Sequence, residues 1–458
     1  VGSRLIADLQ GALGTNRVRS RPLELHLFGG DAGTERGEVL AAVFPKDGRQ
    51  VAEVVGVAAS HGVPVVTRGT ATGVAGGAVP AEPAVVLVTT HLDGIEIDAG
   101  SRMAWVGGGV LNLDLTRKAA ENGLYFVPDP SSRAASTVGG NVATDASGPH
   151  GLAEGGTASH VLAVEFVTAS GEILTAGGAA PDATGLDVRG LLVGSEGTLG
   201  IVTRVLVRLV EEPPAVITVA AVFESLEQAA AAVASVIAAG VVPAVLEMMS
   251  GNLVRLIDRF VGGLRTGAGA LLLAEAAGRP AQVAAQVDVI GEAAWQNGAA
   301  GVDRAVEEGD RERLWTARRS SFPSVAQMGA GFRDHDVVVP RRRLVEMVAE
   351  IGRIAEEHRL EAYTSIHAGD GNLHPKFVFD PEDTAAEAAV EAASTEIAVA
   401  ALRLGGSVSG EHGIGMDKRA LMPLQFSAAD LEALRRIKDA FDPNGLLNPG
   451  KVLPEAQT

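Results

Sequence analysis

Cysteine is missing altogether from this 458-residue chain. Its absence excludes disulfides, thiolate zinc sites, a cysteine nucleophile and a cysteine-held iron–sulfur cluster. Positive charge is scarce too: 38 Lys and Arg stand against 56 Asp and Glu, a formal charge of -18. With no extended Lys/Arg-rich run, the chain is not expected to bind nucleic acid. A small anionic substrate stays open, because a few local arginines can override the global sign. Long apolar runs are equally rare. One uncharged run, Ala229 to Val245, reaches spanning length, but it is mostly alanine and is broken by Gly240 and Pro243. It reads as an amphipathic surface helix followed by a strand, not as a transmembrane segment. The opening residues, VGSRLIADLQ, carry charge early and lack the apolar core of a signal peptide. A cytoplasmic location is therefore expected, with peripheral membrane contact left open.

Glycine, by contrast, is abundant, with 57 residues gathered in short clusters. Such clusters suggest turns where backbone approaches a ligand. The length and the 47% apolar fraction suit two or three folded domains. Residues 1–40 read as a helical arm and a loop. From Ala41 the pattern becomes strand (AAVFP), helix (RQVAEVVGVAASHG) and strand (VPVVTRG), followed by a run of short strands. VLAVEFVTASGEILTAGG reads as a hairpin turning at Gly171. Glu211-Glu212-Pro213-Pro214 reads as a domain boundary. Beyond it strands alternate with longer helices, the pattern of an α/β sandwich.

Three loops are rich in hydrogen-bond donors. The first, Pro64 to Gly77, follows a predicted strand. Its glycines at 69, 73, 76 and 77 could wrap phosphate oxygens as a backbone nest, with Arg68 adding charge. Taken alone it reads as an ordinary glycine-rich turn, since the spacing is not G-x-G-x-x-G. The second spans residues 128–148 and the third 194–203. Three such loops in one domain suggest an extended polar cofactor. GLLNPGKV, Gly445 to Val452, imitates a P-loop, but Val452 replaces the metal-binding hydroxyl and Pro449 lacks an N–H. Nucleotide hydrolysis is excluded on that basis.

The stretch IHAGDGNLHP, residues 366–375, reads as two strands joined by Gly369-Asp370-Gly371-Asn372. That register makes His367 and His374 direct cross-strand partners, with Cβ atoms about 5 Å apart. Two imidazoles so placed can share a divalent ion; they are equally a chance pair on a polar hairpin. In SGEHGIG, adjacent side chains on an extended segment point opposite ways. Glu411 could then complete a His-His-Glu ligand set while His412 faces the substrate as a base.

Taken in order, RGTATGVAGG, STVGGN, GSEGTLGIVT, HAGDGNLHP, GEHGIG and DPNGLLNPGK resemble the FAD-linked D-2-hydroxyacid dehydrogenases, the family of D-lactate, glycolate-oxidase and D-2-hydroxyglutarate type. The resemblance runs from about residue 40 to residue 452. It implies an α+β fold, with a two-subdomain FAD-binding domain of vanillyl-alcohol-oxidase type and an α/β sandwich substrate domain. The expected limits are 1–40 for the arm, 41–212 for the FAD domain, 213–440 for the substrate domain with its metal site, and 441–458 for a tail returning to the FAD domain. Cofactor contacts are expected from Pro64, Arg68, Gly69, Thr70, Ala71, Thr72, Gly73, Gly76 and Gly77. Further contacts are expected from Pro128, Thr137, Gly139, Gly140, Asn141, Thr144, Gly148, Glu196, Gly200, Ile201 and Asn448. The implied metal ligands are His367, His374 and Glu411. His412 is the implied base, Asn372 touches substrate or flavin, and Arg318 binds the substrate carboxylate.

Two departures stand out. Ala71 replaces the second glycine usual in R-G-x-G-T-G; a methyl there is tolerable if φ is negative, but could alter the approach of a phosphate. HGLAEGG, from His150, lacks an aromatic that many relatives carry. With no cysteine, and no histidine in the first loop, FAD is expected to be non-covalent. The implied reaction oxidises a small D-2-hydroxy acid, D-lactate first, then glycolate or D-2-hydroxyglutarate, by hydride transfer to flavin N5. Zinc and manganese both suit the ligand set. The expected partners are that substrate and an external acceptor: a quinone, an electron-transfer flavoprotein or an iron–sulfur partner chain. The alternatives are flavin oxidation of another alcohol, a non-catalytic FAD-binding electron-transfer subunit, and a metal-dependent hydrolase. The last leaves the donor-rich loops unexplained.

Overall fold

The computed structural model describes residues 2–180, 185–265, 267–328 and 331–455. The chain divides into two compact units: Val1–Ser147, Gly155–Glu212 and Glu411–Thr458 form one, Gly148–Glu154 and Pro213–Gly410 the other.

The first unit holds two principal sheets. One has the order β1 (Val18–Arg19), β2 (Val39–Val43), β4 (Ala84–Val88), β3 (Val65–Arg68), with β2, β4 and β3 mutually parallel. The helix Gly48–His61 connects β2 to β3. Asp47 caps its start through Gln50 N, and Gly62 ends it at φ +62°. Its buried Val51, Val54, Val55 and Ala58 follow helical spacing and share one core with Leu5, Leu9 and Leu13. The first helix, Gly2–Leu13, contributes its leucine stripe to that core. The tail completes the sheet: Leu446 O accepts from Val65 N, and Asn448 N donates to Val65 O, each at 2.8 Å.

The second sheet of this unit is antiparallel. It runs β5 (Ile95–Asp98), β6 (Met103–Gly107), β10 (Ile201–Arg208), β8 (Val161–Val167), β9 (Ile173–Gly177). Gly171, at φ +84°, makes the expected turn between β8 and β9. A small pair, β7 (Leu124–Tyr125) with β11 (Val210–Glu211), stands apart.

The second unit is built on one eight-stranded sheet. Its strands are β12 (Ala215–Phe223), β13 (Val245–Ser250), β14 (Ala270–Gly278), β15 (Gly301–Ala305), β16 (Gly331–Asp334), β17 (Val337–Val338), β18 (Ala362–His367) and β19 (Asn372–Phe379). The order is β15-β12-β14-β13-β18-β19-β16, with β17 also on β19, and every pairing is antiparallel. Alternate residues serve opposite faces. Val219, Ala221 and Phe223 join the core under helices Leu226–Ala238, Pro280–Gln296, Leu344–Glu357 and Thr384–Arg403. Ala220 and Val222 join the core under Gly251–Val261, Glu308–Arg319 and Ser321–Ala326. The uncharged run supplies the helix Leu226–Ala238 and the start of β13, and no helix among the described residues is long and apolar enough to cross a membrane.

Candidate functional site

In the first unit the three polar loops meet. Beyond β3 the chain is pinned by a segment that sequence reasoning missed. Asp31 accepts from Gly33 N at 2.8 Å and from Gly76 N at 3.0 Å, and Ala32 N donates to Gly73 O at 3.0 Å. Burial pushes the Asp31 carboxyl above its ordinary range. Gly76 N therefore serves the loop's own fold. Arg68 donates to Gly30 O, and Pro64 O accepts from Val85 N. Thr70 donates to Ala135 O at 2.6 Å, which ties the first loop to the second. Ala71 sits at φ +56°, so the negative angle its methyl would favour is not the one adopted. Thr72 lies in the same turn.

In the second loop Asn112 Nδ2 donates to Pro128 O at 2.7 Å. Thr137 caps the short helix Val138–Thr144 by accepting from Gly140 N at 3.1 Å. Thr144 donates back to Gly140 O at 3.4 Å. Gly139 lies so close to Gly108 O that a Cβ would stand 2.6 Å from it. Gly148 opens the short segment of the second unit. Gly200 and Ile201 are packing positions: a Cβ on Gly200 would lie 2.6 Å from the Phe166 ring, and Ile201 is fully buried.

Asn448 fastens the cluster, donating to Gly77 O at 2.9 Å and to Glu196 O at 2.7 Å. Thr67 Oγ1, Ser136 Oγ, Asn141 Nδ2 and Asn448 Oδ1 are buried without a hydrogen-bond partner in the protein. Buried polar atoms are rarely left unmatched. Four such atoms on converging loops fit an extended polar group, as the pyrophosphate, ribityl and flavin parts of FAD would require.

The Glu196 carboxylate, expected near the cofactor, is engaged by its own chain. Its oxygens accept from Ile414 N at 2.7 Å and Gly415 N at 2.8 Å, and a Cβ on Gly413 would meet it at 2.8 Å. Burial raises its pKa, while the two N–H groups, Lys418 and Lys451 oppose the rise. Burial also lowers the Lys451 ammonium to about 8. These contacts bring the chain back into the first unit at Glu411, well before residue 441. Within that unit Glu411 Oε2 accepts from Ser147 N at 3.2 Å. His412, the next residue, is half-buried.

In the second unit a polar row crosses the sheet on the face covered by Glu308–Arg319. Thr218 donates to Glu275 Oε2 at 2.6 Å, and Trp315 Nε1 donates to the same oxygen at 2.7 Å. His150 Nε2 stands 3.9 Å from the other Glu275 oxygen. On β13, Glu247 is directly opposite His367 of β18, with Oε1 2.6 Å from Nδ1. Arg318 places Nε and Nη2 each 2.6 Å from Glu247 Oε2.

The hairpin register differs from the expected one. His367 pairs with Asn372, and His374 pairs with Ser365. The turn is Ala368–Gly371, closed by Gly371 N donating to His367 O at 3.0 Å with Gly371 at φ +82°. The histidines are diagonal neighbours, still on one face because the slip is an even number of residues. Their ring centroids are 5.1 Å apart, and both residues are 4% exposed. Asn372, buried on the same face, lies against Gly410, where a Cβ would meet its amide at 2.5 Å. Asp336 fixes that end of the chain by accepting from Ser409 Oγ at 2.6 Å and Gly410 N at 3.0 Å. Sequence reasoning missed Glu247, Glu275 and Asp336. A signal existed for the first two: each is a lone carboxylate inside an otherwise apolar strand, where a buried charge demands a partner.

The two units have the architecture of vanillyl-alcohol-oxidase-type flavoproteins. Solved structures of p-cresol methylhydroxylase and of 4-ethylphenol oxidase from Gulosibacter chungangensis share it. Their TM-scores are 0.84 and 0.79 at 17% and 19% identity, covering 98% and 99% of this chain and 96% and 97% of theirs. Residues 39–177 match the family model of an FAD binding domain, and residues 212–452 match that of FAD linked oxidases, C-terminal domain. The chain is 39% identical over 421 residues to the glycolate oxidase subunit GlcD of Escherichia coli K12, covering 92% of this chain and 84% of the relative. It is 34% identical over 425 residues to a D-lactate dehydrogenase of Archaeoglobus fulgidus, covering 91% and 92%. The chain belongs to the FAD-linked oxidases, and it is an FAD-binding oxidoreductase.

Proposed function

We propose that this chain oxidises a small D-2-hydroxy acid to the 2-oxo acid, with D-lactate favoured, then glycolate or D-2-hydroxyglutarate. The observation that carries the reading is the buried His367–His374 pair on one sheet face, in a chain whose relatives are named for glycolate and D-lactate. His367, His374 and Glu411 are the residues that would hold a divalent ion, zinc or manganese, whose charge would acidify a bound hydroxyl. FAD, when bound, supplies the two-electron acceptor.

The chain's own groups do the rest. His412 takes the substrate hydroxyl proton. Asn372 presents its amide to substrate or flavin. Arg318 commits Nε to Glu247 and holds Nη2 at ion-pair distance from it, but a guanidinium carries five N–H donors, so the substrate carboxylate can still dock on it. An external acceptor would then take up the electrons: a quinone, an electron-transfer flavoprotein, or an iron–sulfur centre, which in a chain without cysteine would have to belong to a partner.

The test is anaerobic absorbance of the purified protein titrated with a panel of D- and L-2-hydroxy acids. Loss of the oxidised flavin band with one D-acid is expected. His412→Ala should keep its FAD and lose bleaching by at least ~100-fold in rate, the scale of a general base. Equal bleaching by L-acids, or an unchanged rate in that variant, would defeat the reading.

A further inference from the structure

We propose that Glu247 is a positioning residue that selects the nitrogen through which His367 binds metal. The proposal rests on the metal reading above and deepens it. Glu247 is fully buried on β13 and faces His367 directly across the ladder. One oxygen lies 2.6 Å from His367 Nδ1, and the other accepts from Arg318 Nε and lies 2.6 Å from its Nη2, Arg318 being 3% exposed.

Arg318 faces one Glu247 oxygen with its donors, and the other oxygen faces His367 Nδ1 as an acceptor. A carboxylate only accepts hydrogen bonds. His367 must therefore carry its proton on Nδ1, which leaves the ligating lone pair on Nε2. Donation of Nδ1–H to a carboxylate also makes Nε2 more basic and fixes the ring plane. Without Glu247 either tautomer is accessible, and only one of them presents Nε2 as a ligand. Arg318 acts in this arrangement through Glu247, two bonds removed from the imidazole.

The experiment measures zinc and manganese affinity by chelator competition, with metal content read by elemental analysis, on full-length protein carrying FAD. Glu247→Gln keeps the volume but cannot act as a carboxylate. Since it leaves Arg318 without a counter-charge, a second variant, Glu247→Leu with Arg318→Met, removes both charges and avoids a buried unpaired one. Both should bind metal 10- to 100-fold more weakly at unchanged FAD content, the usual effect of losing such a partner. Nitrogen-15 spectra of the metal-stripped protein should show the His367 ring as a single Nδ1–H tautomer in the parent and a mixture in the variants. Equal affinity in parent and variants, with a parent that binds one metal, would overturn the role of Glu247 alone. A parent that binds no metal would overturn the metal site itself, and this inference with it.

Discussion

Lys451 shows how much chemistry a single residue can carry without touching a substrate. It lies in the stretch that imitates a P-loop, yet it is 4% exposed and its charge answers Glu196. Burial lowers its folded pKa to about 8 from 10.5. Below pH 8 the amine is charged in both folded and unfolded chains, and the desolvation cost is fully felt. Between pH 8 and 10.5 the unfolded chain holds the proton that the folded chain has released, so stability rises with pH across that window. The rise should be on the order of 3 kcal/mol, at 1.36 kcal/mol per pH unit of that window. Urea midpoints followed by flavin fluorescence should climb from pH 8 to 10.5 in the parent, and the climb should shrink in Lys451→Met. An equal slope in both would place the titration elsewhere. Residue-level chemistry of this kind was only partly legible in the sequence. Asn448 could be named because its motif is distinctive. The occupation of Glu196 by residues 414 and 415 could not, because that contact links positions 218 and 219 apart.

Among elements, the hairpin β18–β19 depends most on a detail invisible to pattern reading. Strand alternation fixed which face the histidines share, since a period of two survives an even slip. It could not fix which residues close the turn. That is decided by Gly371, at φ +82° and packed against the Val339 carbonyl, where a side chain would clash. Gly371→Ala combines a disfavoured angle with a steric clash against backbone. It should cost ~2–4 kcal/mol of stability in the second unit, from strain plus displaced pairing. It should also lower metal content more than FAD content, because His374 lies two residues into β19. Thermal melts and elemental analysis together check this, and a variant with full metal content would show that the turn does not set the histidine geometry. The first loop offers a parallel case. Its strand–glycine pattern was readable, but the positive φ of Ala71 was not, because the contacts that pin the loop at Gly73 and Gly76 come from Ala32 and Asp31, far off in sequence.

At the scale of the whole chain, the two units differ in how their sequence is distributed. The second is contiguous from residue 213 to 410 apart from one heptapeptide, 148–154, whose Leu152 packs beside its core. All eight strands and both helix layers lie inside 213–410. The first unit needs three separate stretches. Its tail supplies the partner of β3, the core residues Leu446 and Leu447, the loop that Glu196 holds, and Asn448 between the first and third loops. The consequence is asymmetric. A fragment of residues 213–410 should be soluble and unfold cooperatively in urea, slightly weakened by the loss of Leu152. Residues 1–212 alone should not retain FAD through gel filtration, because an edge of the parallel sheet and the pins of the first and third loops are missing. Joining 411–458 to that fragment through a flexible Gly/Ser linker should restore FAD, since such a linker adds reach without imposing structure. Stoichiometric FAD on residues 1–212 alone would show that the tail covers a finished site. FAD that appears only when the tail is present would mean that the cofactor loops become a site at the last step of folding, when the C-terminal segment returns.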